Sequence, residues 1–323
     1  MTILPEKCSL QEALKCAEQY LNVCGIADAS VDAWLLLEHV TGISRTRFLM
    51  DRGQLMQEEA RMRYQNLLRK RGTHIPLQHL TGVQEFMGLE FLVNEHVLIP
   101  RQDTEILVEE AMKRLRPGMR VLDLCTGSGC IGISLAKLWT GGVWQQELNQ
   151  CDASWRAAAA AAGKPLAICV DGADISEEAL KMAQENAVRL EVPVRLIHSD
   201  LFRICADQTE ALRTTELGVY DMIVSNPPYI RTSVIEELSE EVRLHEPFGA
   251  LDGKEDGLYF YDRIIRESSA HLSENGWLLF EIGYDQGEAV SRLLAENGFT
   301  DIAVVPDLAG LDRVVYGRMF GKN

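Results

Sequence analysis

Met119-Arg120-Val121-Leu122-Asp123-Leu124-Cys125-Thr126-Gly127-Ser128-Gly129-Cys130-Ile131-Gly132-Ile133-Ser134-Leu135-Ala136-Lys137-Leu138 decides the fold. Its first six residues form an apolar run with the look of a buried strand, and the residues from Ile131 to Leu138 carry an apolar helical face. Between them lies a Gly-rich turn. Strand, Gly-rich turn and helix is the context in which a nucleotide-binding loop occurs. Glycines let a backbone approach a ligand closely, and free amides at a helix start hold an anionic group. The spacing is Gly-x-Gly, without the third glycine of a dinucleotide fingerprint, and no Gly-Lys-Ser/Thr phosphate loop is present. A lone Gly-x-Gly also describes a plain tight turn. Asp123 at the strand end is the sharper signal, because a carboxylate there repels a phosphate and attracts an ammonium group. It favours a cofactor with a zwitterionic amino-acid tail over a dinucleotide.

Downstream, Ala167-Ile168-Cys169-Val170-Asp171-Gly172-Ala173-Asp174-Ile175-Ser176 predicts a second strand that ends in acid, followed by a helix from Glu177 to Leu190. Ser176 or a neighbour caps that helix, and Glu177 and Glu178 suit its positive end. An acidic side chain at this strand end takes ribose hydroxyls in nucleotide-binding sheets. Asp174 is the candidate because the helix starts directly after it, with Asp171 as competitor. A further strand, Val194 to His198, leads to Asp200, which can meet an adenine amine with Leu201 and Phe202 flanking the ring, or simply cap a loop. Tyr220 to Ser225 is another buried strand, and it runs into Asn226-Pro227-Pro228-Tyr229. Two prolines cannot donate to a ladder, so the strand stops there. Asn226 then sits at a carboxyl strand end, where open α/β sheets bind ligands. Its side chain and the carbonyls beside the prolines make a compact acceptor cluster suited to a planar NH2 group, with Tyr229 as a flat face; the alternative is an Asn-Pro turn that merely closes the strand.

With these motifs in order on successive strands, the chain resembles the class I S-adenosylmethionine-dependent methyltransferases, and more narrowly the HemK/PrmC-type release factor glutamine methyltransferases. Ile99-Pro100-Arg101-Gln102-Asp103-Thr104-Glu105, Glu246-Pro247-Phe248-Gly249-Ala250-Leu251-Asp252-Gly253, Asp256-Gly257-Leu258 with Tyr261, and Glu281-Ile282-Gly283 match the same family. The resemblance implies an α/β fold: a Rossmann-like, mostly parallel seven-stranded sheet with one reversed strand, helices on both faces, and a small amino-terminal helical domain. It implies S-adenosyl-L-methionine as cofactor, held by Asp123, Cys125, Thr126, Gly127, Ser128, Gly129, Asp174, Asp200, Leu201 and Asn226. The acceptor glutamine, in the Gly-Gly-Gln motif of peptide chain release factors, falls to Asn226, Pro227, Pro228 and Tyr229, with Asn226, Pro227 and Tyr229 catalytic. Ribosomal-protein glutamine and the adenine amine of a nucleic acid are the alternative acceptors, and a scaffold without activity is a further one. The chain departs from the family at Gln102, where proline is common, and in the distance from the Gly-rich loop to Asp174. The excess reads as a surface insertion at about 139–165, with an alanine run. Asp152 lies nearer the usual distance but follows no buried strand.

Length and composition frame this reading. A chain of 323 residues suits two domains. The expected division is 1–82 helical, 83–98 a linking β-hairpin centred on Gly88, and 99–323 the methyltransferase domain; the resemblance implies that the helical region recognises the protein substrate, with a purely structural bundle as the alternative. Ser9-Leu10-Gln11-Glu12 is a capping box ahead of the stripe Leu10, Leu14, Ala17 and Leu21. A second helix runs from near Ser30 to Gly42, and others span about Arg45 to Met50 and Gln57 to Lys70. A net charge of −16 argues against docking on naked nucleic acid, which needs Lys and Arg to displace counterions, and for a protein partner with a basic face. Arg61, Arg63, Arg69, Lys70 and Arg71 read as a solvated helix face with a cationic end. The eight cysteines lack Cys-x-x-Cys pairs and read as reduced thiols of a cytoplasmic protein, with Cys8, Cys16 and Cys24 as core packing rather than a metal site. Residues 1–10 lack an apolar core of signal length, and no stretch approaches a membrane span. A monomer without metal is expected.

Overall fold

The computed structural model describes residues 3–140, 167–206, 208 and 215–320. The expected insertion therefore lies outside the described residues from position 141 onward, as does Asp152. The chain forms two compact units, one of Met1–Val83 together with Ser239–His245, the other of Gln84–Leu238 with Glu246–Asn323. The hairpin expected as a linker is thus built into the second unit, and a short segment from the carboxyl-terminal half is built into the first. Among the described residues no helix is long and apolar enough to cross a membrane.

The first unit is helical. Helix α1 (Leu10–Val23) starts at a capping box in which the Glu12 amide donates to Ser9 Oγ (3.3 Å) and the Ser9 amide to Glu12 Oε2 (2.8 Å). It buries Leu10, Ala13, Ala17 and Leu21 against α2 (Ala29–Thr41), which stops at Gly42 in the left-handed region (φ 67°). Helices α3 (Arg45–Asp51), α4 (Glu58–Arg71) and α5 (Leu77–Thr81) follow. Cys8 lies in this core, with Cys16 and Cys24 at its margin. The basic end of α4 is not wholly solvated as expected: Arg71 is buried, and its Nε donates to Asp32 Oδ2 (2.6 Å), its Nη1 to the Ile75 carbonyl (3.1 Å) and its Nη2 to Glu241 Oε1 (2.5 Å). Three acceptors replace the water that the guanidinium gives up.

The second unit opens with the hairpin β1 (Val83–Phe86) and β2 (Leu89–Leu92), joined by Met87 and Gly88, both at positive φ. Then come α6 (Gln102–Arg114), β3 (Arg120–Leu124), α7 (Cys130–Thr140), β4 (Cys169–Asp174), α8 (Glu177–Arg189), β5 (Val194–Asp200), β6 (Arg203–Ile204) and β7 (Tyr220–Ser225). Helix α9 (Tyr259–Ser268), β8 (Leu272–Glu281), α10 (Gly287–Glu296), β9 (Phe299–Pro306) and β10 (Asp312–Met319) complete it. The sheet order is β6-β5-β4-β3-β7-β8-β10-β9, parallel from β5 to β8, with β10 antiparallel to both neighbours. An eighth strand joins the expected seven: two-residue β6 folds back on the end of β5. Successive strand side chains alternate between faces. Val121, Val170, Met222 and Val224 meet one apolar layer with Leu107, Ala111, Ile133 and Leu135 of α6 and α7. Leu122, Leu124, Ile223 and Leu278 meet the other, with Ile264, Ile265, Val290 and Leu294 of α9 and α10. Because β3 pairs with both β4 and β7, the chain order reverses at β3 and leaves a crevice beyond the strand ends.

Candidate active site

A cavity of about 570 Å³ opens in that crevice, and all of its lining residues belong to the second unit. Cys125, Thr126, Gly127 and Ser128 form one wall. The turn that carries them leaves β3 through backbone that side chains disfavour, with Cys125 at φ 62°, Gly127 at 55° and Gly129 at 81°. Gly129 does not reach the cavity wall; a Cβ there would stand 2.7 Å from Ile133 Cδ1, so its role is to let α7 pack. Asp123 is also absent from the wall. It is fully buried beneath the turn, where its Oδ2 accepts from the Thr126 hydroxyl (2.6 Å) and the Gly132 amide (2.9 Å). Burial pushes its carboxyl up to about 7, and Oδ1 has no hydrogen-bond partner among the described residues.

The next two strand ends bring acid to the same cavity. Asp174 lines it and accepts from the Gly127 amide and the Ser176 amide, both at 2.9 Å, while burial raises its carboxyl above the usual range. A carboxylate offers about four acceptor positions, so capacity remains for hydroxyl donors. Asp171 is not in the wall; it pairs with Arg195 and accepts from Tyr220 Oη (2.8 Å). Asp200 and Leu201 line the cavity, with Leu201 at φ 51° and Asp200 accepting from Arg263 Nη1 (3.1 Å). Phe202, expected beside Leu201 at a ring, is instead buried and stacked on His271 at 4.4 Å. Tyr259 and Phe260 line the cavity in the vicinity of Arg263, a wall that local sequence patterns do not announce.

Asn226 completes the site. The Ser225 hydroxyl donates to the Leu124 carbonyl (2.6 Å), which stitches the ends of β7 and β3 together and sets Asn226 beside the Gly-rich turn. Asn226 and Pro228 line the cavity, whereas Pro227 and Tyr229 do not. Asn226 Nδ2 donates to Thr104 Oγ1 (3.4 Å), and the Thr104 hydroxyl donates to Glu281 Oε2 (2.5 Å). Tyr229 Oη donates to Glu281 Oε1 (3.2 Å), and Gln286 Nε2 to the Tyr229 carbonyl (3.0 Å). Burial raises the Glu281 carboxyl, and burial followed by the Glu281 charge raises the Tyr229 phenol. Arg101, also in the wall, pairs with buried Glu246 at 2.5 Å. Thr104, Glu281 and Glu246 stood within motif segments of the sequence, but their joint role depends on contacts between residues far apart in the chain.

The donor set and size suit S-adenosyl-L-methionine. The cavity falls in the range of small-molecule sites, an open turn lies at Gly127, and two carboxylates, Asp174 and Asp200, line the same cavity. A Cβ built on Gly127 meets nothing within 4 Å, so the turn presents backbone to the cavity without obstruction.

Residues 12–82 match the family model described as the PrmC N-terminal domain, and residues 110–250 match one described as an RMKL-like methyltransferase domain. The release factor glutamine methyltransferase of Geobacter sulfurreducens is 36% identical over 319 residues, covering 99% of this chain and 100% of its own length. That of Clostridium botulinum is 38% identical over 304 residues, covering 93% and 95%. The hMettl16 catalytic domain, solved with a MAT2A 3'UTR hairpin, aligns over 78% of this chain and 82% of its own with a TM-score of 0.50 and 15% identity, a likeness of fold alone.

Proposed function

The chain belongs to the release factor glutamine methyltransferase family, and from that premise we propose that it methylates the side-chain nitrogen of the Gly-Gly-Gln glutamine in peptide chain release factors, with S-adenosyl-L-methionine as donor. The observation that carries the reading is the placement of Asn226 in one cavity with the Gly-rich turn and Asp174.

Cys125, Thr126, Gly127 and Ser128 hold the amino-acid tail of the cofactor, Asp174 its ribose, and Asp200 with Leu201 its adenine. Asp123 and Gly129 contribute by shaping the turn. Bound there, the cofactor supplies a methyl group already activated on a sulfonium. The remaining difficulty is the glutamine nitrogen, whose lone pair is delocalised into its carbonyl. Asn226 Oδ1 and the Pro227 carbonyl, next to cavity-lining Pro228, accept its two N–H bonds. Two acceptors on one nitrogen fix its direction and favour the pyramidal form that can react. Both hydrogen bonds strengthen as positive charge develops on that nitrogen, so they act selectively in the transition state. Tyr229 enters through Glu281 and through its own carbonyl, held by Gln286.

The test is Asn226→Ala with purified release factor, read by mass spectrometry for a methyl on the Gly-Gly-Gln glutamine. Turnover is expected to fall by roughly 100-fold or more, with cofactor affinity by calorimetry changed only a few-fold. Undiminished turnover in this variant at saturating cofactor would remove Asn226 from the mechanism.

A further inference from the structure

The direction of a hydrogen-bond chain is fixed wherever one end can only accept. An ionised carboxylate has no proton to give. Glu281 takes the Thr104 hydroxyl proton on one oxygen and the Tyr229 phenol proton on the other. A threonine hydroxyl has one proton, so with that proton committed Thr104 Oγ1 can only accept. The group facing Thr104 from Asn226 must then be the NH2 end of the carboxamide, as the 3.4 Å Nδ2 contact has it. An amide that turns its NH2 toward Thr104 turns its oxygen the other way.

We infer that Glu281, acting through Thr104, is the positioning residue that aims the Asn226 carboxamide oxygen into the cavity, with Tyr229 Oη saturating the second carboxylate oxygen. The inference rests on the acceptor role given above to Asn226, and adds the device that chooses between the two ends of its amide. A flipped Asn226 would present two donors to a substrate NH2 and repel it. The two ends of a carboxamide are nearly equal in shape, so sterics alone do not choose; proton inventory does. Burial raises the Glu281 carboxyl, and the two hydroxyl donors, one on each of its oxygens, act against that by holding the carboxylate form that the device needs. Arg313 of β10, salt-bridged to Asp307 and Asp103, lies close enough to favour the charged state of Glu281 against the cost of burial. The Glu281 backbone is pinned as well, its carbonyl accepting from Tyr261 Oη at 2.9 Å.

The experiment compares Thr104→Val, Thr104→Ser and Glu281→Gln in the full chain, with two readouts. The first is kcat and KM for release factor alongside cofactor affinity by calorimetry. The second is proton exchange at the Asn226 side-chain NH2, followed by nuclear magnetic resonance with nitrogen-labelled asparagine and assigned by its loss in Asn226→Asp. Thr104→Val removes the acceptor at nearly constant shape; kcat is expected to fall roughly 10- to 100-fold, with cofactor affinity within twofold and the NH2 protection lost. Thr104→Ser restores the hydroxyl and is expected to recover both. Glu281→Gln can donate or accept, so it is expected to lower kcat while leaving a mixed amide orientation. Wild-type kcat in Thr104→Val, or NH2 protection indifferent to residue 104, overturns the relay. Because the exchange readout needs no substrate, it separates the two claims. Thr104-dependent protection in a protein that leaves release factor unmethylated supports the relay and sinks the substrate assignment, whereas methylation that is insensitive to Thr104 does the reverse.

Discussion

Asp123 illustrates how one residue can be read correctly as acidic and important yet be given the wrong address. Its position at the end of β3 suggested a carboxylate facing an ammonium group, but the side chain is fully buried under the Gly-rich turn and organises that turn through Thr126 and Gly132. A buried acid whose folded value is raised to about 7 destabilises the native state wherever it must ionise. Its contribution to stability is complete below the ordinary carboxylate range and is lost as pH rises through about 7. The cofactor-free protein is thus expected to lose stability between pH 5 and 8, by roughly 3 kcal/mol from this group. Asp123→Asn keeps an acceptor for Thr126 and Gly132 but cannot ionise, so its slope should be shallower. Burial raises the carboxyls of Asp174 and Glu281 as well, so their contributions to stability change with pH in the same sense. Urea denaturation of both proteins at the two pH values measures this, and equal slopes would refute it. No local pattern shows which way an Asp at a strand end points, because the answer depends on the conformation of the turn that follows.

At the level of elements, boundaries set by near neighbours were legible and contacts between elements were not. The Ser9 capping box, the Ser176 cap on α8 (Ala179 amide to Ser176 Oγ, 3.2 Å) and the Gly42 stop involve residues within three or four positions of each other. Asn186 carries the opposite lesson. It lies mid-helix in α8, where it looks like a modest helix former, yet it is fully buried. Its Oδ1 accepts from the Leu92 amide (2.6 Å), and its Nδ2 donates to the Leu92 carbonyl (3.0 Å) and the Ser128 carbonyl (2.9 Å). One side chain therefore joins α8 to β2 and to the back of the Gly-rich turn. Asn186→Ala leaves three backbone groups short of a partner, of which the Ser128 carbonyl is buried and the two of Leu92 are half-buried. It is expected to cost about 2–4 kcal/mol and to weaken cofactor binding, since Ser128 loses its anchor. Denaturation and calorimetry test the two halves, and a variant as stable as the parent would mean that water or rearrangement replaces all three bonds.

For the molecule as a whole, the unexpected feature is that the first unit is not continuous in sequence. Ser239–His245 belongs to it, although these residues follow Asn226–Tyr229 by only about a dozen positions. Buried Arg71 binds Asp32 and Glu241 at once, so it joins α2, α4 and the returning segment. Burial raises the Asp32 carboxyl even with Arg71 beside it, so the loss of Arg71 would strand an acid in the interior. Arg71→Ala is expected to destabilise the first unit by about 3–5 kcal/mol. The double variant with Asp32→Ala should lose less than the sum of the two singles, because the residues share one interaction. Additive losses in urea would show that the pair is not coupled.

The order of strands and helices along the chain followed from patterns a few residues long, whereas the sheet arrangement and the set of cofactor residues were what the family resemblance implied. Hydrophobic period, proline and glycine punctuation and the topology of parallel sheets are local or general rules, and they place strand ends before any coordinate is known. Side-chain direction and partnership are different in kind. That Asp123 faces inward, that Tyr229 reaches Glu281 instead of the cavity, that Arg71 is buried and that a distant segment completes the helical unit are outcomes of packing between residues tens to hundreds of positions apart. Chain proximity carries no trace of those contacts, since each depends on which groups the finished fold leaves without water.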